Sequence, residues 1–145
     1  MRILAVDPGS KHIGVAISDP TGTIANPLTV VSHVSRPIDA ASIVELALSW
    51  GAGLIVIGQS FDDNGKPSFE GRRSERLAEA LKTQTAIPVL LWDESFTTQE
   101  ARSARLHMGA SRKDRAGHLD ELAATVLLQS FLDANFRTSS NKRLA

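Results

Sequence analysis

Apolar positions along this chain follow two rhythms. Short apolar runs broken by turn residues come first, and helical spacing follows. Ile3 to Val6 form a run that ends on an acid, Asp7. Pro8, Gly9 and Ser10 turn the chain, and Ile13 to Ile17 form a second run. This pattern predicts a β-hairpin with one carboxylate at a strand end. Thr21 and Gly22 turn the chain again into Ile24 to Val31, where Pro27 marks an edge strand. Arg36 to Trp50 carries apolar residues at helical spacing (Ala40, Ile43, Val44, Ala47, Leu48), with Pro37 and Asp39 suiting its first turn and Gly51 its end. Leu54 to Ile57 is fully apolar, as in a central parallel strand. Gln59 to Lys66 is a polar loop. Its Asp62-Asp63-Asn64-Gly65 lacks the ligand pattern of a calcium loop and reads as a turn. Phe69 to Thr83 predicts a second helix with Leu77, Ala78 and Leu81 inward. Pro88 to Trp92 predicts a fifth strand ending at Asp93 and Glu94. Thr97 and Glu100 have capping-box spacing and open a third helix to about His107. Gly109 to Gly117 is a polar, basic loop. His118 to Phe136 predicts a fourth helix with Leu119, Leu122, Ala123, Val126 and Leu127 on one face.

The order β-β-β-α-β-α-β-α-α predicts an α/β fold. Three strands joined by tight turns pair antiparallel, and the two later strands, each reached through a helix, run parallel to the first. The expectation is a mixed five-stranded sheet flanked by helices. With no internal repeat and no long linker, residues 1–136 are expected to form a single domain and 137–145 a flexible tail.

Composition narrows the setting. The chain has 145 residues, 42% hydrophobic and 22% charged, the balance of an ordinary globular protein. Cysteine is absent, so thiolate metal sites are excluded and a reducing compartment fits. Asp7 interrupts the first apolar stretch too early for a signal peptide, and no run reaches membrane-spanning length, so a cytoplasmic protein without membrane attachment is expected. The formal net charge is zero. That counts against a nucleic-acid binder unless basic residues concentrate locally. They do: Arg102, Arg105, Arg112, Lys113 and Arg115 stand against the single acid Asp114, Lys11 lies near Asp7, and Arg72, Arg73 and Arg76 open the second helix. Lys11, Arg72, Arg73, Arg76, Arg102, Arg112, Lys113 and Arg115 are therefore candidates to position phosphates. Any single Arg among them reads first as part of a solvated face. The four histidines show no ligand spacing, and Trp50 and Trp92 sit at element ends as packing residues.

Ligands of open α/β sheets gather at the carboxyl ends of the parallel strands. Asp7 ends the first strand and Glu94 follows the fifth. Alternation aims Asp93 elsewhere. Asp120, near the start of the last helix, is the third candidate, because the small residues Ala123 and Ala124 would let that helix approach the sheet. Three converging carboxylates need a counter-charge. Their hard oxygens suit Mg²⁺ or Mn²⁺, and two such ions can activate water against a phosphodiester. Each acid also has a plain structural reading: Asp7 as a turn cap, Asp120 at a favourable helix start, Glu94 as a solvated loop residue.

These residues resemble the YqgF family of bacterial ribonuclease-H-like proteins, described as Holliday junction resolvases or pre-16S rRNA nucleases. Asp7-x-Gly9-x-Lys11-x-Ile13-Gly14-Val15-Ala16 is similar to its first motif, and Val56-Ile57-Gly58 with Asn64-Gly65 and Arg72-Arg73 to its second. Asp93-Glu94-Ser95-Phe96-Thr97-Thr98 with Glu100-Ala101 resembles the third, and Asp120-x-x-Ala123-Ala124 through Leu132 the fourth. The resemblance runs from Arg2 to about Leu132. It implies a ribonuclease-H-like fold and a metal-dependent, two-metal-ion endonuclease with Asp7, Glu94 and Asp120 as catalytic acids and ligands of Mg²⁺ or Mn²⁺. It implies nucleic-acid partners: precursor rRNA processed at the 16S 5′ end, possible ribosomal particles, or, alternatively, branched DNA. A monomer or a homodimer fits. Two departures stand out: Ser95 replaces the family's usual Arg, and Gly58-Gln59-Ser60 replaces a Gly-Leu-Pro-like turn, which puts the holding of the substrate backbone there in question. Readings of other classes are a catalytically silent ribosome- or nucleic-acid-binding protein, and an ATP-binding module of the actin and sugar-kinase type, for which the chain is short and lacks a second phosphate hairpin.

Overall fold

The computed structural model describes residues 1–96 and 121–135. Strands β1 (Arg2–Pro8), β2 (His12–Ser18) and β3 (Ala25–Ser32) come first. Helix α1 (Arg36–Ser49), strand β4 (Ala52–Gln59), helix α2 (Phe69–Gln84) and strand β5 (Val89–Asp93) follow. A single 3₁₀ turn covers Glu94–Phe96, and a last helix, α3, is described over residues 121–135.

The sheet order is β3-β2-β1-β4-β5. β1 pairs antiparallel with β2 and β2 with β3, while β4 lies parallel to β1 and to β5. This is the mixed five-stranded sheet expected from the pattern, with Pro27 on an edge strand, where a missing donor costs least. β4 is longer than its apolar run, because Ala52 and Gly58 at its ends still find partners, Arg2 and Trp92. The predicted helix from Thr97 and the basic loop from Gly109 lie outside the described residues.

The helix ends follow local chemistry. Ser35 caps α1, its hydroxyl accepting from the Ile38 N–H, and Ser68 caps α2 by accepting from the Gly71 N–H. Gly51 adopts φ +66° just past α1, a left-handed conformation that glycine takes without penalty. The polar loop after β4 is a tight turn: the Asp62 side chain accepts from the Asn64 and Lys66 N–H groups.

Alternation gives the sheet two unlike faces. Leu4, Val6, Val15, Ile17, Ile55 and Ile57 pack with Ala40, Ile43 and Ala47 of α1 and with Leu77 and Leu81 of α2. On the other face Ile3, Ala5, Ala16 and Val56 pack with Ala124, Leu127, Leu128, Phe131 and Leu132 of α3. Two phases differ from the sequence reading. Leu48 of α1 is 67% exposed, because the stripe Ala40–Ile43–Ala47 already faces the sheet. In α3 the buried stripe runs through Ala124, Leu127 and Phe131 rather than Leu122, Ala123 and Val126. That helix is apolar nearly all round at its start, so its phase is set by what it meets: Trp92 packs edge-on against Phe131 at 5.2 Å and donates to the Ser130 hydroxyl at 3.2 Å.

Candidate active site

Asp7 continues the alternation Ile3–Ala5–Asp7 and so falls on the α3 face of the sheet. It is half-buried and anchored by strand pairing. On one side its register partner is Gly14 of β2. On the other, Val6 pairs with Ile57, so the next step along the strands sets Asp7 beside Gly58. The acid therefore stands between two glycines, where no side chain competes for space on its face. The turn after Asp7 is equally tight: Gly9 donates to the His12 carbonyl at 2.9 Å, and a Cβ on Gly9 would lie 2.5 Å from that oxygen. Gly9 is required by close approach, not by a positive φ.

Glu94 enters from β5. The Asp93 carboxylate accepts from the Ser95 N–H at 2.8 Å, which shapes the turn and turns Asp93 to a capping role, as alternation anticipated. Glu94 then folds back over β4. A Cβ on Gly58 would stand 3.0 Å from Glu94 Oε1, 3.3 Å from its Cγ and 2.9 Å from Leu127 Cδ2 of α3. Gly58 is thus the position over which Glu94 reaches toward β1, one strand from Asp7. Sequence reasoning missed this role of Gly58. Its signal was a glycine closing the apolar run Leu54–Ile57.

α3 completes the frame. Gln129, near its middle, accepts from the Ala25 N–H at 2.9 Å and donates to the Thr23 carbonyl at 3.0 Å, at the edge opposite Asp7. Leu127 meets Gly58 near the carboxyl ends of β1 and β4. Within the described residues α3 thus passes from Leu127, over the carboxyl end of β4, to Gln129, at the start of β3. Asp120, Arg102, Arg112, Lys113 and Arg115 lie outside the described residues. Among the described residues no cluster of three His, Cys, Asp or Glu side chains could hold a metal ion. Two hard carboxylates beside paired glycines are donors and space suited to a divalent cation.

The remaining candidates separate. Lys11 is exposed at the hairpin turn. Arg72 and Arg76 are exposed at the start of α2, while Arg73 is half-buried and lies over the Phe69 ring at 5.6 Å. Arg73 lines a cleft with Pro8 and Leu77 on the α1/α2 face, so the sheet stands between it and Glu94. Gln59 is buried and donates to the Gly71 carbonyl at 3.3 Å, tying α2 to β4. Ser74 strengthens that seam by donating to the Gly58 carbonyl at 2.6 Å.

A mixed sheet in this order, helices on both faces and two acids at the carboxyl ends of β1 and β5 define a ribonuclease-H-like domain. The chain is similar over 95% of its length to T. thermophilus RuvC in complex with a Holliday junction substrate, of which it covers 97%, with a TM-score of 0.61 at 18% identity. It belongs to the family described as "RuvX: Holliday junction resolvase", whose model matches residues 1–134. Relatives bear another name. A "Putative pre-16S rRNA nuclease" of Thermoanaerobacter pseudethanolicus is 39% identical over 135 residues, covering 92% of this chain and 97% of the relative. A protein of the same name from Pelotomaculum thermopropionicum is 40% identical over 139 residues, covering 94% and 90%.

Proposed function

We propose that this protein is a divalent-metal-dependent endonuclease that hydrolyses phosphodiester bonds in structured nucleic acid, with precursor 16S rRNA as its substrate. The observation that carries the reading is Asp7 and Glu94 on one sheet face with Gly58 between their strands. Asp120 is the third acid of this reading, carried by the resemblance of Asp120-x-x-Ala123-Ala124 to the family's fourth motif. Asp7, Glu94 and Asp120 would hold Mg²⁺ or Mn²⁺. Bound there, such an ion would acidify water and offset the negative charge of a phosphodiester. The chain's own residues supply the rest. Pairing of Asp7 with Gly14, next to the paired Val6 and Ile57, holds its backbone in place, so its oxygens need little reorganisation. Gly14 and Gly58 leave room for a sugar–phosphate strand against the sheet. Lys11, Arg72, Arg76, Arg102, Arg112, Lys113 and Arg115 position phosphates without reading bases.

The names of the relatives favour RNA processing, and the family description favours junction cutting as the second reading. Among the described residues no helix is long and apolar enough to cross a membrane, which suits work on RNA in the cytoplasm. The test is a cleavage assay in Mg²⁺ and in Mn²⁺ on a labelled precursor 16S rRNA fragment and a labelled four-way DNA junction, comparing wild type with Asp7→Asn. Cutting of the RNA that the variant loses supports the proposal. Cutting of the junction alone transfers it to resolution. No cutting by a folded protein that still binds would point to a silent binding role.

A further inference from the structure

On the face of the sheet away from Asp7 and Glu94, a small cleft open to solvent lies behind the β1–β2 hairpin turn. Ile13 and Leu77 form its apolar floor and the Pro8–Gly9 turn its rim. Two guanidinium-bearing residues from different helices line it, Arg36 at the first position of α1 and Arg73 in α2. Both are half-buried. Among the described residues the Arg36 side chain makes no hydrogen bond or ion pair, and the Arg73 side chain has only its contact with the Phe69 ring. The one carboxylate lining the cleft is already used. Asp39 is 3% exposed, its Oδ1 accepts from the Val34 N–H at 2.9 Å, and its Oδ2 pairs with His33 Nδ1. That pair fixes the His33 ring, which forms another wall. The cleft therefore carries an uncompensated positive charge above an apolar floor, with forked donors brought from two sides.

We propose that this cleft is a phosphate subsite that takes a backbone phosphate of the nucleic acid. Guanidinium forks match phosphate oxygens in pairs, and their partial burial strengthens each contact. The rim residues Pro8 and Gly9 follow Asp7 directly, so a strand engaged at the acids and passing around the hairpin turn meets this cleft next. The inference rests on the nuclease reading for the identity of the ligand, and it assigns Arg73 to this cleft, apart from the acids, together with Arg36 and His33.

The test measures binding rather than cleavage, in an Asp7→Asn background. Fluorescence anisotropy of a labelled precursor rRNA fragment and of a labelled four-way junction is followed against salt concentration. The variants are Arg36→Gln with Arg73→Gln, the pair Arg36→Lys with Arg73→Lys, and Lys82→Gln, which sits exposed in the last turn of α2, as control. Loss of one phosphate contact lowers the slope of log affinity against log salt by about one. The Gln pair is expected to show that loss on whichever nucleic acid binds, the Lys pair to weaken binding while keeping the slope, and the control to match the parent. In parallel, inorganic phosphate is titrated into the protein by NMR, with shifts expected at Gly9 and His33. An unchanged slope and affinity in a folded Gln pair overturn the proposal. Phosphate shifts without any loss of nucleic-acid binding also overturn it, in favour of a free-phosphate site. Failure of the wild type to cut, with the Gln pair still losing its slope, would sink the nuclease reading and leave the subsite standing.

Discussion

The two faces of one sheet are built from different residue sizes. Toward α1 and α2, the strands present Leu4, Val6, Val15, Ile17, Ile55 and Ile57. Toward α3, the same strands present Ile3, Ala5, Ala16 and Val56, and at their carboxyl ends Asp7 paired with Gly14, and Gly58. The first face is filled by branched side chains that interlock with two helices. The second is cut back to small residues near its carboxyl edge. Space there is left for carboxylates and for whatever they grip, and stability gives way to chemistry. The acids differ in the same sense. Asp39, on the opposite face, and Asp19, at the far edge, are held by the chain's own donors, the Asp19 carboxylate accepting from the N–H groups of Thr21, Thr23 and Ile24. Asp7 and Glu94 lie on the α3 face, on either side of Gly58.

If the large-residue face carries stability, Leu4→Ala should cost about 2–5 kcal/mol in chemical denaturation, since Leu4 is fully buried under two helices. A loss below about 1 kcal/mol would erase the distinction between the faces. If the small-residue face carries chemistry, Asp7→Asn should leave the fold intact and lower cleavage at least about a hundredfold. Even partners behind a metal ligand cost roughly 10–100-fold, and a hundredfold equals about 2.7 kcal/mol of barrier. Single-turnover rates in Mn²⁺ measure it, and a variant that cuts normally would remove Asp7 from the site.

Gly58→Ala probes the seam between the faces. Its methyl would press on Leu127 and on the Glu94 carboxylate, both side-chain ends that can swing aside. We expect a stability cost of about 1 kcal/mol by thermal denaturation, and a fall in cleavage larger than that cost explains, because Glu94 is displaced. Equal small effects on both would show that Glu94 needs no such room.

The smallest effect tests the acids that the chain itself consumes. Backbone N–H groups, foremost that of Ile24, with the Thr21 hydroxyl, hold the Asp19 carboxyl well below its ordinary 3.8. A carboxyl lowered in the folded state stabilises the fold above its unfolded value, and that contribution fades as pH falls from about 3.8 toward the lower folded value. Asp19→Ala should therefore lower Tm at neutral pH and flatten the acid limb below pH 3.8, without touching cleavage. An acid limb identical to wild type would mean the turn gains nothing from the charge.

Local rules made much of this protein legible. Alternation, turn residues and capping serines determine the order of elements, the edge position of Pro27 and the ends of α1, because each depends on neighbours a few residues away. Asp7 was visible for the same reason, as an acid ending an apolar strand. What the sequence alone could not decide depends on which strands lie side by side. Only the β1–β4 and β4–β5 registers bring Gly58 between Asp7 and Glu94. Only the packing of α2 gives Gln59 its buried partner, the Gly71 carbonyl, and carries Arg73 to the face opposite Glu94. The phase of α3 was left open by its nearly continuous apolar start and was decided by Trp92, Val56 and Ala5 against it. Periodicity identifies a strand or helix, but the partner across the sheet is chosen by burial over the whole domain.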